Sequence, residues 1–247
     1  MGSQELTASL EDLCLSAWPA PRQLHHSGWV LRFGGGHSGR ANAVTAITAS
    51  PPVDPGFIGW CETEYRRHGL PPQFRLTPLC PPDMAEKLVQ AGYRLREESL
   101  VLVAELPSAQ PPDASVRLQS FADDAWLTAY RSMVAVPEAE MPALRAILGA
   151  IVAPATYATL WSDGKPVAAC LGVVDRGWLG LYKVATHPQA RGQGHGARLV
   201  RAILSHAATA GATRAYLQVG SGNVPALALY QRFGFTTAYS YVYARRG

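Results

Sequence analysis

The sequence predicts a mixed α/β protein built as two units, and three observations lead there. A Pro-rich polar segment, Leu106-Pro107-Ser108-Ala109-Gln110-Pro111-Pro112-Asp113, separates two strand-like stretches, and such segments act as linkers. Beyond it, runs of apolar period 2 alternate with runs of period 3.6. A glycine-rich turn then leads from a strand into an amphipathic helix. The chain therefore divides into residues 1–110 and 111–247.

In the first unit Leu6–Trp18 reads as a helix. Trp29–Phe33 and Ala41–Ile47 read as strands joined by the glycine-rich Gly34–Gly39. Phe57–His68 is helical, Gln73–Leu79 extended, and Asp83–Ala91 a helix that stops at Gly92 before a strand beginning at Tyr93. His25-His26 has no partner at ligand spacing and reads as a loop pair. Ser99–Glu105 closes the unit as a strand.

In the second unit Val116–Gln119 is a short strand. Asp123 and Asp124 open a helix to Val134, acids at its positive end. Glu138–Ala150 is a second helix. Tyr157–Trp161 and Pro166–Val174 form a hairpin over Ser162-Asp163-Gly164-Lys165. Trp178–Ala185 is a strand. Gly194–Ala210 is a helix with Val200, Ile203, Leu204 and Ala207 on one face. Arg214–Val219 is a strand, Val224–Phe233 a helix, and Phe235–Ala244 a Tyr-rich strand. The segments Leu88–Tyr93 and Tyr230–Phe235 align without a gap, each a helix stopped by Gly before an aromatic, which suggests an internal repeat.

Composition narrows the class. Of the 247 residues 48% are hydrophobic and 16% charged, which fits a globular protein. The formal charge is +4, but the three lysines, Lys87, Lys165 and Lys183, are dispersed and no basic stripe forms, so no nucleic-acid partner is expected. Cys14, Cys61, Cys80 and Cys170 are scattered, with no metal spacing, and read as reduced thiols; no metal is expected. The N-terminus lacks a basic n-region, and no run approaches the ~18 apolar residues of a membrane span. A cytoplasmic protein with no membrane partner is the expectation.

The chemistry concentrates in Lys183–Leu199. A strand, a glycine turn and a helix start aim the free N–H groups of a first helical turn at one point, where the helix dipole adds about half a positive charge. That is an anion site suited to a pyrophosphate. Gly192, Gly194 and Gly196 remove Cβ atoms from it, and Arg191 and Arg198 are placed to add charge. Gly192-x-Gly194-x-x-Ala197 also satisfies the dinucleotide fingerprint. However, the next strand carries Gln218 where that site needs an acid, and too few residues follow for a doubly wound domain. Gly34–Gly39 has P-loop spacing but is followed by Arg40-Ala41.

Arg191-x-x-Gly194-x-Gly196 resembles the acetyl-CoA signature Q/R-x-x-G-x-G/A of the GNAT N-acetyltransferases. Asn223-x-x-Ala226-x-x-Leu229-Tyr230-x-x-x-Gly234-Phe235 resembles that family's C-terminal segment, one helix and one strand further on, as the family requires. The resemblance covers residues 114–245; residues 1–110 resemble the degenerate N-terminal domain of tandem-GNAT proteins. It implies a GNAT fold and acetyl-CoA as acetyl donor, with a primary amine of a small molecule or peptide as acceptor, in a monomer or homodimer. It implies that Gln193, Gly194, His195, Gly196 and Ala197, with Gly192 and Arg191, hold the pyrophosphate. The backbone of Lys183, Val184 and Ala185 would pair with the pantetheine arm, Asn223 would touch it, and Tyr230 would protonate the departing thiolate. An N–H of Val184 or Ala185 would receive the oxyanion.

The general base stays open among Asp175, Tyr182, His187, Glu138 and water, because Trp178–Ala185 lacks the acid many relatives carry. The first unit lacks the signature and has Leu88 where the second has Tyr230. Arg32, Arg40 and Asn42 around its glycine turn are candidate acceptor contacts, or surface charges of a hairpin. Two rivals remain: an acyl-CoA sensor without turnover, and a ligand-free structural domain. The last strand, with Tyr239, Tyr241 and Tyr243, is either a pairing edge or buried.

Overall fold

The computed structural model describes residues 2–246. The first half contains α1 (Ser3–Ala17), β1 (Arg22–His26), β2 (Trp29–Phe33), β3 (Val44–Ala46), α2 (Phe57–Arg67), β4 (Gln73–Leu76), α3 (Met84–Gln90) and β5 (Tyr93–Glu105). The second contains β6 (Val116–Gln119), α4 (Asp124–Met133), α5 (Met141–Gly149), β7 (Ala155–Ser162), β8 (Lys165–Asp175), β9 (Trp178–Thr186), α6 (His195–Thr209), β10 (Arg214–Gly220), α7 (Val224–Gln231) and β11 (Thr236–Arg246). Short 3₁₀ turns occupy Gly39–Ala41, Glu138–Glu140 and Pro188–Ala190. The mixed α/β class holds.

Local chemistry sets the element ends. Asp123 caps α4 by accepting the Trp126 N–H at 2.7 Å, and Asn223 caps α7 by accepting that of Ala226 at 3.3 Å. Asp163 and Gly164 both take φ > 0, the geometry a two-residue hairpin turn needs between β7 and β8. His25 and His26 are in an edge strand and not a loop, opposite Val30 and Trp29. The five residues of β1 show no buried alternation, so no periodicity marked them.

All the strands join one sheet in the order β1-β2-β3-β4-β11-β5-β10-β9-β8-β7-β6. Three neighbouring pairs, β4–β11, β11–β5 and β5–β10, join strands from the two halves. β5, from the first half, stands between β10 and β11, while β11, the end of the chain, stands between β5 and β4. β5 and β11 each follow a helix–Gly–aromatic junction, with Gly92 at φ +88° and Gly234 at φ +76°. They lie antiparallel at the centre of the sheet, Tyr93 opposite Arg246. The Tyr-rich strand is therefore interior, and Tyr239, Tyr241 and Tyr243 are buried; the edges are β1 and β6. The linker is held too: Ser205 Oγ on α6 accepts from Gln110 N and donates to Gln110 O.

Three apolar clusters cover the sheet. One joins α1, α4 and α5 to one face, with Trp18, Trp126 and Tyr182 at its centre. The second packs α6 and α7 on the opposite face around Leu199, Ile203 and Leu217. The third lies under α2 and α3, around Trp29, Tyr65 and Phe74. Among the described residues no helix is long and apolar enough to cross a membrane.

A buried ion pair ties α1 to the centre of the sheet. Glu11 is 1% exposed and Arg75, on β4, 3%. Arg75 Nη2 donates to Glu11 Oε1 at 2.9 Å, its Nη1 donates to Oε2, and the Tyr239 hydroxyl also donates to Oε1. Burial works against the Arg75 charge, but Glu11 outweighs it and holds the pKa well above its ordinary value. Removing one partner strands the other charge, so Glu11→Gln is expected to cost about 3–5 kcal/mol in urea denaturation. A double replacement by apolar residues of similar volume should cost less; equal losses would show that the pair is not what joins α1 to the sheet.

Candidate active site

The site begins where two strands part. β9 and β10 run parallel and pair from Trp178–Arg214 to Leu181–Leu217, and no further. Beyond Leu181, β9 keeps its partner on the β8 side only, so its main chain from Tyr182 to Thr186 faces an opening. A bulge lies at the divergence. Lys183 and Val184 together stand opposite Cys170, between the pairs Tyr182–Leu171 and Ala185–Ala169. Lys183 takes φ +52°, an uncommon backbone for a residue with a Cβ. The extra residue resets the alternation: Tyr182 and Ala185 face the α1/α4 cluster, Val184 faces the α6 cluster, and the Lys183 amine lies over the Trp18 ring of the α1/α4 cluster.

Across the opening, the turn between β9 and α6 leads into the helix through three glycines. Gly192 (φ +77°) and Gly194 (φ +82°) occupy left-handed backbone, and Gly194 is the residue before the helix. Gly196 serves differently: a Cβ there would come within 3.1 Å of Thr186 Oγ1. Two glycines thus supply conformation and the third close approach of helix to strand. The first backward bond of α6 is from Arg198 N to Gly194 O at 3.0 Å, so the N–H groups of His195, Gly196 and Ala197 have no intrahelical acceptor.

A cleft of about 610 Å³ joins this turn to the parted strands. Val184, Ala185, Arg191, Gly192, Gly194, His195, Gly196, Ala197, Asn223 and Tyr230 all line it. Gln193 is in the turn, with its side chain donating to Gln189 O at 3.2 Å. Arg198 is not available to a phosphate here, because its guanidinium binds the Asp113 carboxylate and Ser115 Oγ, away from the cleft. Asn223 Oδ1 is engaged as the α7 cap. Tyr230 is 6% exposed and meets Phe235 edge-on at 5.7 Å. Burial, with a smaller contribution from Cys170, raises its phenol above the ordinary value and keeps it protonated at neutral pH.

The acceptor contacts expected in the first half are corrected. Arg32 is 2% exposed and donates to the carbonyls of Arg40 (2.6 Å), Trp18 (2.6 Å) and Leu15 (3.3 Å). Asn42 is buried and accepts from Gly34 N and Gly36 N, which fixes the glycine turn. Both are structural. Arg40 alone reaches across, its guanidinium 5.5 Å from the Tyr182 ring and 5.8 Å from that of Trp18.

The expected bases fare no better. Asp175 pairs with Arg176 at the far end of β9. Glu138 is exposed and paired with Arg131 at 2.5 Å. His187 Nδ1 accepts the Gln189 N–H at 3.3 Å, and the Tyr182 hydroxyl is buried against that of Tyr216 at 3.1 Å. A different polar cluster, missed in sequence, lies beside the bulge. Lys183 Nζ is 2.8 Å from His37 Nε2, and His37 Nδ1 is 2.7 Å from Glu140 Oε2. The ammonium group lies 4.8 Å from the centre of the Trp18 ring and 5.6 Å from that of Tyr130. Burial pushes the Lys183 pKa down to about 7; Arg40 adds to the effect and Glu140 opposes it. Burial also lowers His37, as does Lys183, against the hydrogen bond that His37 donates to Glu140. The available signal was Lys183 itself, the one charged residue in an apolar strand.

Fold and cleft together are those of a GNAT acetyltransferase. Residues 7–244 match the family described as "Probable histone acetyltransferase Rv0428c C-terminal", and the chain belongs to it. The chain is 25% identical over 233 residues to the uncharacterized N-acetyltransferase YobR of Bacillus subtilis, covering 92% of this chain and 93% of that protein. It is 31% identical over 221 residues to the probable histone acetyltransferase Rv0428c of Mycobacterium tuberculosis; the match covers 85% of this chain and 65% of that longer protein. A GCN5-related N-acetyltransferase from Kribbella flavida shares the fold at TM-score 0.70 and 20% identity, over 98% of this chain and 95% of its own.

Lys183 titrates near 10.4 in an unfolded chain and near 7 in the fold, so between those values the unfolded state binds more protons and stability rises with pH. Below pH 7 the cost of burying the charge is fully present. Lys183→Met is therefore expected to raise Tm at pH 6 and to lose that gain as the pH approaches 10. A gain independent of pH would contradict a buried, depressed ammonium.

Proposed function

We propose that this chain transfers an acetyl group from acetyl-CoA to a primary amine of a small molecule or peptide, by direct attack in a ternary complex. The observation that carries the reading is the convergence of the unbonded N–H groups of His195, Gly196 and Ala197 at a helix start with glycines at positive φ before it. Such a site suits a pyrophosphate, with Arg191 alongside. The unpaired side of β9 fits an amide-bearing pantetheine arm lying as an extra strand along Lys183, Val184 and Ala185, with Asn223 at the mouth of the next helix. Among the described residues no cluster of His, Cys, Asp and Glu suits a metal, and this reading uses none.

In this reading a neutral amine attacks the thioester carbonyl, whose developing negative charge is received by an N–H of Val184 or Ala185. The C–N bond forms and the C–S bond breaks. Tyr230, held protonated by its surroundings, gives its proton to the leaving thiolate and is reprotonated from water. Residues 111–247 carry the transfer. Residues 1–110 act as a degenerate partner unit that walls the acceptor side, with Leu88 in the place of the tyrosine.

The test is a thermal titration followed by an amine screen. Acetyl-CoA at 100 times its Kd is expected to stabilise by about 2.7 kcal/mol. Thiol release is then measured with a panel of amines. Tyr230→Phe is expected to lower turnover about 100-fold while keeping the shift in Tm. No shift with either acetyl-CoA or CoA would reject the reading, and a shift without thiol release from any amine would favour a binding module.

A further inference from the structure

We propose that Lys183, His37 and Glu140 form a proton relay that removes the proton released by the acceptor amine and delivers it to solvent. The proposal rests on the acetyl-transfer reading above. Its basis is a continuous chain of contacts, 2.8 Å from Lys183 Nζ to His37 Nε2 and 2.7 Å from His37 Nδ1 to Glu140 Oε2. The chain runs from inside to outside: the His37 side chain is 8% exposed and that of Glu140 41%.

Its inner end adjoins the wall of the cleft. Lys183 directly precedes Val184 and Ala185, which line the cleft. Tyr130, beneath the ammonium, is one helical turn before Met133 and Val134, which also line it. The bulge is what brings Nζ there. Under strict alternation Lys183 would point, as Leu181 does, into the apolar cluster beneath α6.

The surroundings favour a proton acceptor. The charged and titratable groups facing Lys183 are Arg40 from the 3₁₀ turn of the first half, His37 from the glycine turn, Glu140 before α5, Tyr130 on α4, and the neighbouring Tyr182 and Cys14. Burial and the Arg40 charge disfavour a second cation here, so the amine group is available as a base at neutral pH.

The proton balance closes. An acceptor R–NH3+ loses two protons on becoming an amide. One is lost to water before attack and balances the proton that Tyr230 takes back from water after protonating the CoA sulfur. The other passes to the Lys183 amine, on to His37 Nε2 as His37 Nδ1 releases its proton to Glu140, and out to water; proton exchange with water then returns His37 to the tautomer with the proton on Nδ1. Lys183 is the catalytic residue; His37 and Glu140 act through it and position it.

The sequence has three lysines, which makes a direct reading possible in the full chain. Protein labelled with [13C]lysine is titrated by NMR. Lys183 is expected to titrate near 7, and lower still in Glu140→Gln, because the carboxylate supports the charge. Thiol release is then followed against pH with an amine found active in the screen. Lys183→Met and Lys183→Arg are both expected to lose about 100-fold at pH 7 and to lose the limb near pH 7, leaving only the titration of the amine itself. Both should keep the rise in Tm with acetyl-CoA. A Lys183 midpoint near 10, or a Lys183→Met profile with the wild-type shape merely scaled down, overturns the relay. Absence of both thiol release and the acetyl-CoA shift in Tm is a different failure, which removes the transfer reading and the relay together.

Discussion

The parting of β9 from β10 is the constraint on which the rest of this molecule depends. Two parallel strands that pair for four residues and then separate leave a main-chain edge inside the sheet, in addition to its outer edges β1 and β6. An unpaired edge of that kind is costly unless a ligand or water completes it. The bulge at Lys183 belongs to the same event: it bends β9 away from its neighbour and exchanges which side chains face which layer. The glycine turn and the buried Tyr230 border the cleft that this break opens, and the bulge sets the direction of Lys183.

A sheet that opens in its middle must be held firmly elsewhere. The holding is done by β5 and β11, which pair along nearly their whole lengths and carry each half of the chain into the other. β10 is paired to β5 through all seven of its residues, so it stays in place while β9 departs from it. Glu11, Arg75 and Tyr239 clamp α1 over the same region, and α1 carries Trp18 to the wall of the lysine pocket. Each half therefore contributes to the stability and the chemistry of the other. His37 is in the half without the acetyl-CoA signature, yet it contacts the key strand of the half that has it.

Much of the element order was legible in the chain, because helix and strand periods are local properties. The glycine turn could be read for the same reason: a strand, three glycines and an amphipathic helix in direct succession specify a helix start with free amides wherever it is placed. Arg198 shows the limit. It is in the right segment for a phosphate, but α6 turns it toward Asp113 of the linker. Arg32 and Asn42 read as surface polar groups near a glycine turn; they are buried because that turn folds back over α1. β1 was missed because an exposed edge strand of mixed residues has no apolar rhythm.

By itself the sequence determined the fold class, the glycine turn that opens α6 and the tyrosine at the end of α7, since each depends on residues close together in the chain. Tertiary structure alone decided which strands are neighbours, and with them the group beside the cleft that holds a lowered pKa. His37, Glu140 and Lys183 are separated by about a hundred residues and by forty-three. No spacing rule joins such positions. They meet because β5 and β11 bind two halves into one sheet, and because one extra residue in β9 turns a lysine toward the other face.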